Sequence, residues 1–369
     1  MAKARGMKLI VAGGGTGGHL FPGIAVAEAL RAADPDCDVL FVGTDKPFER
    51  EAAARAGFEH RGIAVTAIKR RKWWEKLAAL WRLLTAVFTA AGIIWRFKPD
   101  MILGVGGYAS APCLLAGFLM GKRTAVQEQN VAPGLTNKVL GMLSGRVYAS
   151  FGESRDFFPE GKVLVTGNPV RLSLSSGTGR KRESGAPFTV MMVGGSQGAH
   201  GINTAVMEAI GKEGESLRGI RFIHQTGEND FQAVSEAYRA WGGAADVRPF
   251  FYDMAEQYEK TDLLVCRSGA TTVAEITVLG KAAVFVPFPF AADNHQEKNA
   301  RALEAAGAAR VILQKDLTGS VFAGTVLELS RDPAALSRME EASKAHGRPR
   351  AAADIAADML ASVPETGGK

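Results

Sequence analysis

The sequence predicts an α/β protein made of two doubly wound, parallel-sheet domains. Short apolar runs alternate with helical patterns along the 369 residues, as is typical of βαβ units. The succession of strand, glycine-rich turn and helix occurs twice, beginning at Lys8 and again at Phe188. The length also suits two domains of ordinary size. We therefore expect two similar halves joined by a linker.

The first half, residues 1–171, starts with a predicted buried strand at Lys8–Ala12. The run GGGTGGHLFPG then turns the chain into a predicted helix at Ile24–Ala33. The other strands expected in this half are Asp38–Gly43, Met101–Val105, Thr124–Glu128, Val147–Ser150 and Val163–Thr166. In a doubly wound sheet, ligands bind beyond the carboxyl ends of the strands, so residues that follow these runs are candidates for a site.

The second half repeats the pattern after a predicted linker at residues 172–187, which is rich in Ser, Gly, Arg and Lys. The second domain is expected at residues 188–345 and opens with a strand at Phe188–Val193 and a helix at Ile202–Ile210. Its other predicted strands are Arg221–Gln225, Val247–Phe251, Leu263–Cys266, Ala283–Pro287 and Ala309–Leu313. Alanine-rich residues 333–361 predict terminal helices, so residues 346–369 should form a last helix and a tail.

The composition and net charge of the chain limit the kinds of molecule that it is expected to bind. The chain is 47% hydrophobic and 22% charged, which indicates a globular protein. Its formal charge of +6 suits an anionic membrane surface or a phosphorylated substrate, and no run is basic enough to predict nucleic-acid binding. Three scattered cysteines predict reduced thiols in a cytosolic protein, and no signal peptide is evident.

Metal binding has one candidate in the sequence, the acidic run Asp34–Asp38. Paired aspartates of this kind hold a divalent ion in some sugar transferases. This run precedes a predicted strand, at the edge of the sheet opposite the expected ligand site, so we interpret it as a solvated turn. No metal and no cofactor are expected. The charge of an anionic ligand at the expected site would then be balanced by helix N-termini and by Arg171.

A long apolar segment predicts one helix at about Trp73–Phe97. Leu77–Trp95 holds nineteen residues with a single charge, Arg82, which approaches the length of a membrane span. Arg82 and the strand that begins at Met101 argue against spanning. One stripe of the helix is apolar and aromatic: Trp73, Leu77, Leu80, Trp81, Leu84 and Phe88. With the basic run Lys69–Lys72 beside it, the stripe favours contact with an anionic membrane surface, and packing against the core is the alternative.

Two glycine-rich segments of the second half predict a nucleotide site. Gly194–Gly198 and Ser268–Glu275 each follow an apolar strand and open a helix. Small residues let the backbone approach a ligand, and the N–H groups of a helix start attract phosphate. Glu275 lies about one helical turn after Thr271, where a carboxylate can accept hydrogen bonds from a ribose diol.

Polar residues of the first half predict the chemistry. Gly13–Gly18 fits the dinucleotide fingerprint, although the acid expected after the second strand is matched imperfectly by Asp45. His19 follows at once and is the side chain best placed to take a proton near pH 7, with a capping role as the alternative. Glu128 and Asn130 end a predicted strand and should lie at the edge of a cleft.

The full motif set identifies a family. In chain order it reads GGGTGGHLFPGIAVAEAL, GVGGYASAP, EQNVAPGLTNKVL, GNPVR, GGSQGAHGIN, CRSGATTVAEI and FPFAADNHQEKNA. Over about Met7–Leu303 the chain resembles the bacterial peptidoglycan N-acetylglucosaminyltransferases, which convert lipid I to lipid II. The resemblance implies a GT-B fold, in which two Rossmann-like domains face a cleft. It also implies a UDP-N-acetylglucosamine donor, an undecaprenyl-diphosphate-linked muramoyl-pentapeptide acceptor and a peripheral place on the cytoplasmic face of the inner membrane.

The resemblance also assigns roles to residues. His19 would be the general base of an inverting transfer that forms a β-1,4 bond, alone or with help from Glu128. Phe251 would read uracil through its main chain, Glu275 would hold the ribose and Gln296 would bind the sugar hydroxyls. The other residues implied in substrate binding are Thr16, Gly17, Gly18, Asn130, Arg171, Ser196, Ala270, Thr271, Thr272, Val273 and Ala274.

Three other functions stay open on sequence grounds. A nicotinamide dehydrogenase would use Gly13–Gly18 with Asp45. A sugar-nucleotide epimerase of the same two-domain build would act on the donor alone. A soluble glycosyltransferase with a small acceptor would keep the donor site but would not need the apolar stripe that begins at Trp73.

Overall fold

The computed structural model describes residues 6–65, 73–175, 185–195, 197–291 and 294–363. The chain divides into two compact units. Unit 1 comprises Met1–Leu172 together with Arg348–Lys369, and unit 2 comprises Ser173–Gly347. The carboxy-terminal segment, which the sequence analysis assigned to neither domain, therefore belongs with the first.

The first part of the chain alternates strands and helices as expected. Its strands are β1 Lys8–Ala12, β2 Asp38–Gly43, β3 Glu59–Gly62, β4 Met101–Gly104, β5 Arg123–Glu128, β6 Arg146–Ala149 and β7 Val163–Val165. Its helices are α1 Gly17–Ala33, α2 Pro47–Arg55, α3 Trp73–Phe97, α4 Ser110–Leu119, α5 Leu135–Leu143 and the short α6 Leu172–Ser175. Of the predicted linker, residues 176–184 lie outside the described part of the chain.

The second part repeats the alternation. Its strands are β8 Phe188–Val193, β9 Ile220–Gln225, β10 Ala245–Arg248, β11 Leu263–Cys266, β12 Ala282–Phe285 and β13 Ala309–Val311. Its helices are α7 His200–Glu213, α8 Phe231–Trp241, α9 Met254–Lys260, α10 Ala270–Leu279, α11 His295–Ala305, α12 Gly319–Arg331, α13 Pro333–Ala345 and α14 Ala351–Ser362.

Both sheets are parallel and share one strand order. Among the described residues, unit 1 has the order β3-β2-β1-β4-β5-β6-β7 and unit 2 the order β10-β9-β8-β11-β12-β13. In each sheet the order reverses next to the first strand of the unit, between β1 and β4 or between β8 and β11. Ligands of doubly wound sheets bind at this reversal, so the topology places one candidate site in each unit.

One strand was missed in the sequence analysis, and two predicted boundaries need correction. Strand β3 was not predicted, because its sequence EHRG is polar, as suits a partly solvated edge strand. The strand expected at Val247–Phe251 ends at Arg248, so Phe251 lies in the loop beyond it. Helix α1 begins at Gly17 and not at Ile24, which places Gly17, Gly18 and His19 in its first turn.

The last helix completes the core of unit 1. Ile355 and Met359 of α14 are fully buried in the same apolar cluster as Leu30 of α1. On its other side, Asp358 accepts two hydrogen bonds from Arg146, at 2.9 and 2.6 Å, and one from the Tyr148 hydroxyl at 2.9 Å. Since both partners belong to β6, the apolar cluster and the ion pair together hold the chain terminus on the first sheet.

Helix α3 packs through small residues and leaves large ones outside. Ala86, Ala90 and Ile94 are buried at a spacing of four. Trp81 and Phe88, in contrast, are 69% and 77% exposed. Core packing of the apolar stripe is therefore wrong for these two residues. In the part of the chain that the structure describes, no helix is long and apolar enough to cross a membrane.

Two parts of the predicted membrane surface lie outside what the structure describes. The basic run Lys69–Lys72 falls in residues 66–72, which are not described. Trp73 and Leu77 lie within the helical backbone of α3, but their side chains are not among those described. Of the residues predicted to contact a membrane, Trp81, Leu84 and Phe88 are seen exposed.

Candidate functional site

The site in unit 1 lies where the turns after β1 and β4 meet. Gly13 donates a backbone hydrogen bond to Val42 of β2 at 3.0 Å. A Cβ atom on Gly13 would lie 2.6 Å from the Gly106 carbonyl oxygen, in the turn after β4. Since that separation is too short for any side chain, the approach of the two turns requires glycine at position 13.

His19 lies against the turn after β4. Its Nδ1 atom is 3.2 Å from the Thr16 hydroxyl, and a Cβ atom on Gly106 would lie 2.7 Å from its Cδ2 atom. Burial lowers the pKa of His19, although a hydrogen bond with Gly14 and the charge of Glu49 act in the opposite direction. The imidazole is therefore neutral near pH 7, the state that a general base requires.

Glu49, which the sequence analysis did not single out, lies beneath the first glycine turn, Gly13–Gly18. This side chain on α2 is fully buried. It accepts hydrogen bonds from the amide of Gly15 at 2.6 Å and from the amide and hydroxyl of Thr44. Burial by itself raises the pKa of Glu49, but His60 together with these hydrogen bonds outweighs burial and lowers it. The first glycine turn is therefore hydrogen-bonded, through its Gly15 amide, to the buried Glu49 carboxylate.

Asp45, the imperfect match for a ribose-binding acid, faces elsewhere. Its carboxylate pairs with Arg50 on the exposed side of α2. A Cβ atom on Gly62 of β3 would also touch it, at 2.7 Å from Oδ1. Among the described contacts, the acid that reaches the glycine turn is thus Glu49 and not Asp45.

Glu128 and Asn130 form a buried polar cluster at the end of β5. One Glu128 oxygen accepts from the backbone and side-chain amides of Asn130, at 2.8 and 3.2 Å. The other accepts from Asn137 of α5 at 2.8 Å. Burial raises the pKa of Glu128, and the hydrogen bonds offset part of that rise. These contacts fix the orientation of Asn130, and a direct role of Glu128 in proton transfer stays a prediction.

Arg171 lies beside the helix that carries His19. Its guanidinium stacks over the Phe21 ring of α1, 4.4 Å from the ring centre. The next residue, Leu172, donates its amide to Glu28 of α1 at 3.1 Å. Thr16 and Gly18 at the start of α1 are exposed, while Gly17 is buried. The structure thus places His19, Arg171 and the predicted residues Thr16–Gly18 on one helix or next to it.

The site in unit 2 is built around the start of α10. Gly269 caps this helix, so Ala270, Thr271 and Thr272 form its first turn. First-turn N–H groups have no acceptor within their own helix, and the helix dipole adds partial positive charge there. The second glycine turn, Gly194–Gly198, follows the neighbouring strand β8. Together they make a surface suited to an anion such as a diphosphate.

Backbone geometry explains the glycines of that second turn. Gly198 has a φ of +76°, and a Cβ atom on it would lie 2.0 Å from the Thr226 carbonyl oxygen. Gln225 donates to the Gly195 carbonyl at 3.0 Å and accepts from the Phe251 amide at 3.0 Å. One buried amide thus connects the glycine turn to the loop predicted to read the base. Ser196 lies outside the described residues.

Glu275 and Gln296 both lie near the start of α10. Glu275, two residues after the buried Val273, is about one turn into the helix and accepts a hydrogen bond from Tyr258 at 3.0 Å. The side-chain oxygen of Gln296, in α11, accepts a hydrogen bond from the Phe288 amide at 3.0 Å. The backbone carbonyl of Gln296 accepts one from the Ser268 hydroxyl at 2.8 Å. The predicted donor-binding residues of unit 2, including the half-buried Ala274, therefore share one end of the sheet.

We looked among the described residues for a cluster of side chains typical of a metal site. Within the described ranges, no group of three His, Cys, Asp or Glu side chains is arranged to hold an ion. In the acidic run Asp34–Asp38, Asp34 instead accepts a hydrogen bond from the Met7 amide at 2.8 Å. The run forms the turn between α1 and β2, at the amino end of that strand.

Comparison with known families matches both units. The glycosyltransferase family 28 N-terminal domain matches residues 9–149, and the glycosyltransferase family 28 C-terminal domain matches residues 189–355. A relative from Myxococcus xanthus (strain DK1622) is 44% identical over 357 residues, covering 96% of this chain and 93% of the relative. That relative is named UDP-N-acetylglucosamine–N-acetylmuramyl-(pentapeptide) pyrophosphoryl-undecaprenol N-acetylglucosamine transferase.

Solved structures show the same architecture. The crystal structure of Acinetobacter baumannii MurG matches with a TM-score of 0.71 at 29% identity, covering 96% of this chain and 99% of that one. A UDP-GlcNAc 2-epimerase from Neisseria meningitidis, solved with UDP-GlcNAc, matches with a TM-score of 0.67 at 13% identity, covering 96% of this chain and 100% of the other. The second likeness, at such low identity, shows a shared fold alone.

Proposed function

The chain belongs to glycosyltransferase family 28, and from that premise we propose the reaction that its two sites perform. It moves N-acetylglucosamine from UDP-N-acetylglucosamine to the C4 hydroxyl of the muramoyl sugar of lipid I, forming lipid II. The observation that carries this conclusion is the near-full-length identity of 44% to a transferase with that name. The GT-B fold class predicted from the motifs is confirmed by the two parallel-sheet units and their family matches.

The donor would bind in unit 2. The start of α10 would bind the diphosphate, with Glu275 accepting from the ribose hydroxyls and Gln296 facing the sugar. Departing UDP carries developing negative charge, and preorganised backbone N–H groups stabilise such charge most effectively where water is excluded. The fully buried strand β11 ends three residues before the Gly269–Ala270 helix start, and this position at the carboxyl end of a strand supports the assignment.

The base would come from unit 1. His19 would accept the proton of the attacking C4 hydroxyl as that oxygen bonds to C1 of the donor, on the face opposite UDP. The C1–O bond to UDP breaks with its electron pair staying on the diphosphate, which inverts the configuration at C1. The lowered pKa of His19 supports its role as the base, because the imidazole is then neutral in the resting enzyme.

Delivery of the acceptor would involve the outer surface of unit 1. Helix α3 exposes Trp81, Phe88 and Trp95, and the neighbouring α4 ends in exposed Phe118 and Leu119. Exposed aromatic and aliphatic residues of this number are uncommon on a protein that contacts only water. We propose that this face rests on the cytoplasmic leaflet of the inner membrane as a peripheral contact, since an undecaprenyl-linked acceptor stays in the bilayer.

The rival functions differ in their products. A dehydrogenase would need Asp45, the acid after β2, to face the first glycine turn, whereas its carboxylate pairs with Arg50 on the exposed side of α2. An epimerase keeps the fold but needs no acceptor, and a soluble transferase would not need the exposed face of α3.

A product assay tests the proposal. The protein is incubated with UDP-N-acetylglucosamine and a lipid I analogue, with and without EDTA, and with the donor alone. We expect a β-1,4-linked disaccharide and UDP in both two-substrate reactions and no new sugar from the donor alone. An isomerised sugar without acceptor would favour the epimerase, and loss of transfer with EDTA would contradict the metal-free chemistry.

A further inference from the structure

Glu49 makes an unusually complete set of contacts for a residue on a surface helix. It lies in the first turn of α2 and is buried completely. Oε1 accepts from the Gly15 amide at 2.6 Å and from the Thr44 hydroxyl, while Oε2 accepts from the Thr44 amide at 2.8 Å and lies 3.7 Å from Nε2 of His60. Each carboxylate oxygen of Glu49 therefore accepts a hydrogen bond from a backbone N–H group, one from the turn after β1 and the other from the turn after β2.

Two neighbouring glycines leave the space that this carboxylate occupies. A Cβ atom on Gly14 would lie 2.4 Å from Oε2 of Glu49, and a Cβ atom on Gly43 would lie at the same distance from that oxygen. Any other residue at either position would have to displace the carboxylate. Because Gly14 and Gly43 have no side chains, the Glu49 carboxylate fits on one side of the first glycine turn, and the other side stays open to a ligand.

The same turn determines where His19 lies. The backbone from Gly15 leads directly to Thr16, whose hydroxyl is 3.2 Å from Nδ1 of His19. From the opposite side, the backbone of Gly106 and Gly107 closes on the imidazole. A shift of the Gly15 amide would therefore move Thr16 and the start of α1, which carries His19, against the backbone of Gly106 and Gly107.

We propose that Glu49 is a positioning residue for the transfer, which fixes the first glycine turn and thereby holds the His19 imidazole in its reactive place. This inference rests on the proposed function of His19 as the base. Glu49 itself is buried beneath the turn and does not touch the substrates. A misplacement of about 1 Å at a reacting group can lower the rate by about 100-fold, so a residue of this kind affects turnover without contacting the reaction.

Glu49→Gln is the test substitution, because it preserves size and removes the charge. Whichever way the new amide turns, its NH₂ group must face the backbone N–H of Gly15 or of Thr44, and two donors cannot pair. Glu49→Asp keeps the charge but shortens the reach. The matched control is Glu51→Gln on the same helix, where the side chain is half-exposed and pairs with Arg55.

Two readouts need no substrate. Hydrogen exchange of the Gly15 amide should become faster in both Glu49 variants and stay unchanged in the control. The His19 ring, followed by NMR as pH changes, should titrate at lower pH in Glu49→Gln, because the Glu49 charge raises the pKa of His19 in the native protein. The Asp variant keeps that charge. Other titratable groups around the turn are His60 on β3, Lys46 before α2, Tyr108 after β4 and Glu128 at the end of β5.

Turnover supplies the third readout. With UDP-N-acetylglucosamine and a lipid I analogue, Glu49→Gln should lower kcat by about 10- to 100-fold, leave KM for the donor within about twofold, and move the acidic limb of kcat to lower pH. Glu49→Asp should lower kcat without moving that limb.

The outcomes separate this inference from the proposed function. Unchanged Gly15 exchange and an unchanged His19 titration in Glu49→Gln would overturn the inference, whatever the enzyme transfers. A lower melting temperature together with normal kcat and an unmoved limb would also overturn it, since that result indicates a structural role only. Failure of the wild type to transfer would instead remove the proposed function, while the two substrate-free readouts would still decide whether Glu49 positions His19.

Discussion

His19 and Glu49 show what kind of residue a sequence can reveal. His19 follows a glycine-rich turn directly, so strand order and motif together place it at the edge of the sheet. Glu49 lies thirty positions later on another helix, in a stretch of mixed charge that resembles any solvated helix face. Its role depends on burial and on contacts from the turns after β1 and β2 and from His60 on β3, which no local pattern reports.

Other residues support the site in the same hidden way. Gln225 joins the second glycine turn to Phe251, and Asn137 orients Glu128. Both are polar residues within apolar segments, which is the one sequence signal that could have pointed to them. Polar side chains that are buried this deeply need hydrogen-bond partners, and here those partners belong to the site.

The pH dependence of turnover tests the role of His19. Since burial holds the pKa of His19 below its ordinary 6.5, kcat should stay constant through neutral pH and fall only below that value, as the imidazole gains a proton.

His19→Ala should lower kcat by roughly 10²–10⁴-fold and leave donor affinity nearly unchanged.

The control for this substitution is His346→Ala, which changes an exposed histidine at the end of α13 in unit 2 that belongs to neither candidate site. It should keep both kcat and its acidic limb. Near-normal turnover of His19→Ala would exclude His19 as the base and leave Glu128 as the candidate.

At the scale of elements, the sequence predicted position better than orientation. Strands β1, β2, β8 and β11 and helix α3 have the bounds expected from their apolar runs. Periodicity could not decide which face of α3 lies inside, because both faces are apolar. The structure shows that the inner face uses Ala86 and Ala90, whose small size lets the helix lie close, and the aromatic face remains outside.

Vesicle binding tests the outer face of α3. The double substitution Trp81→Ser and Phe88→Ser removes two exposed aromatic side chains, and burying one such side chain contributes about 1.5–3 kcal/mol. We therefore expect binding to anionic vesicles to weaken by at least about tenfold, with UDP affinity unchanged, in a sedimentation assay.

Val321→Ser, which changes an exposed apolar residue of α12 in unit 2, serves as the matched control and should bind vesicles as the wild type does. Equal vesicle binding by the wild type and the double variant would remove α3 from the membrane contact.

For the whole molecule, the repeated strand–turn–helix opening was enough to predict two parallel-sheet units. The return of α14 to unit 1 was not predictable, because its alanine-rich sequence is that of an ordinary terminal helix. Its place depends on Asp358 meeting Arg146 and Tyr148, which lie more than two hundred residues earlier. Contacts at such separation have no local signature.

The location of the bound donor tests the central claim most directly. In a crystal structure of the protein with UDP-N-acetylglucosamine, we predict the diphosphate at the start of α10, the ribose on Glu275 and the sugar next to Gln296. A donor seated on the turn at Thr16, with no contact to Glu275 or Gln296, would contradict the account.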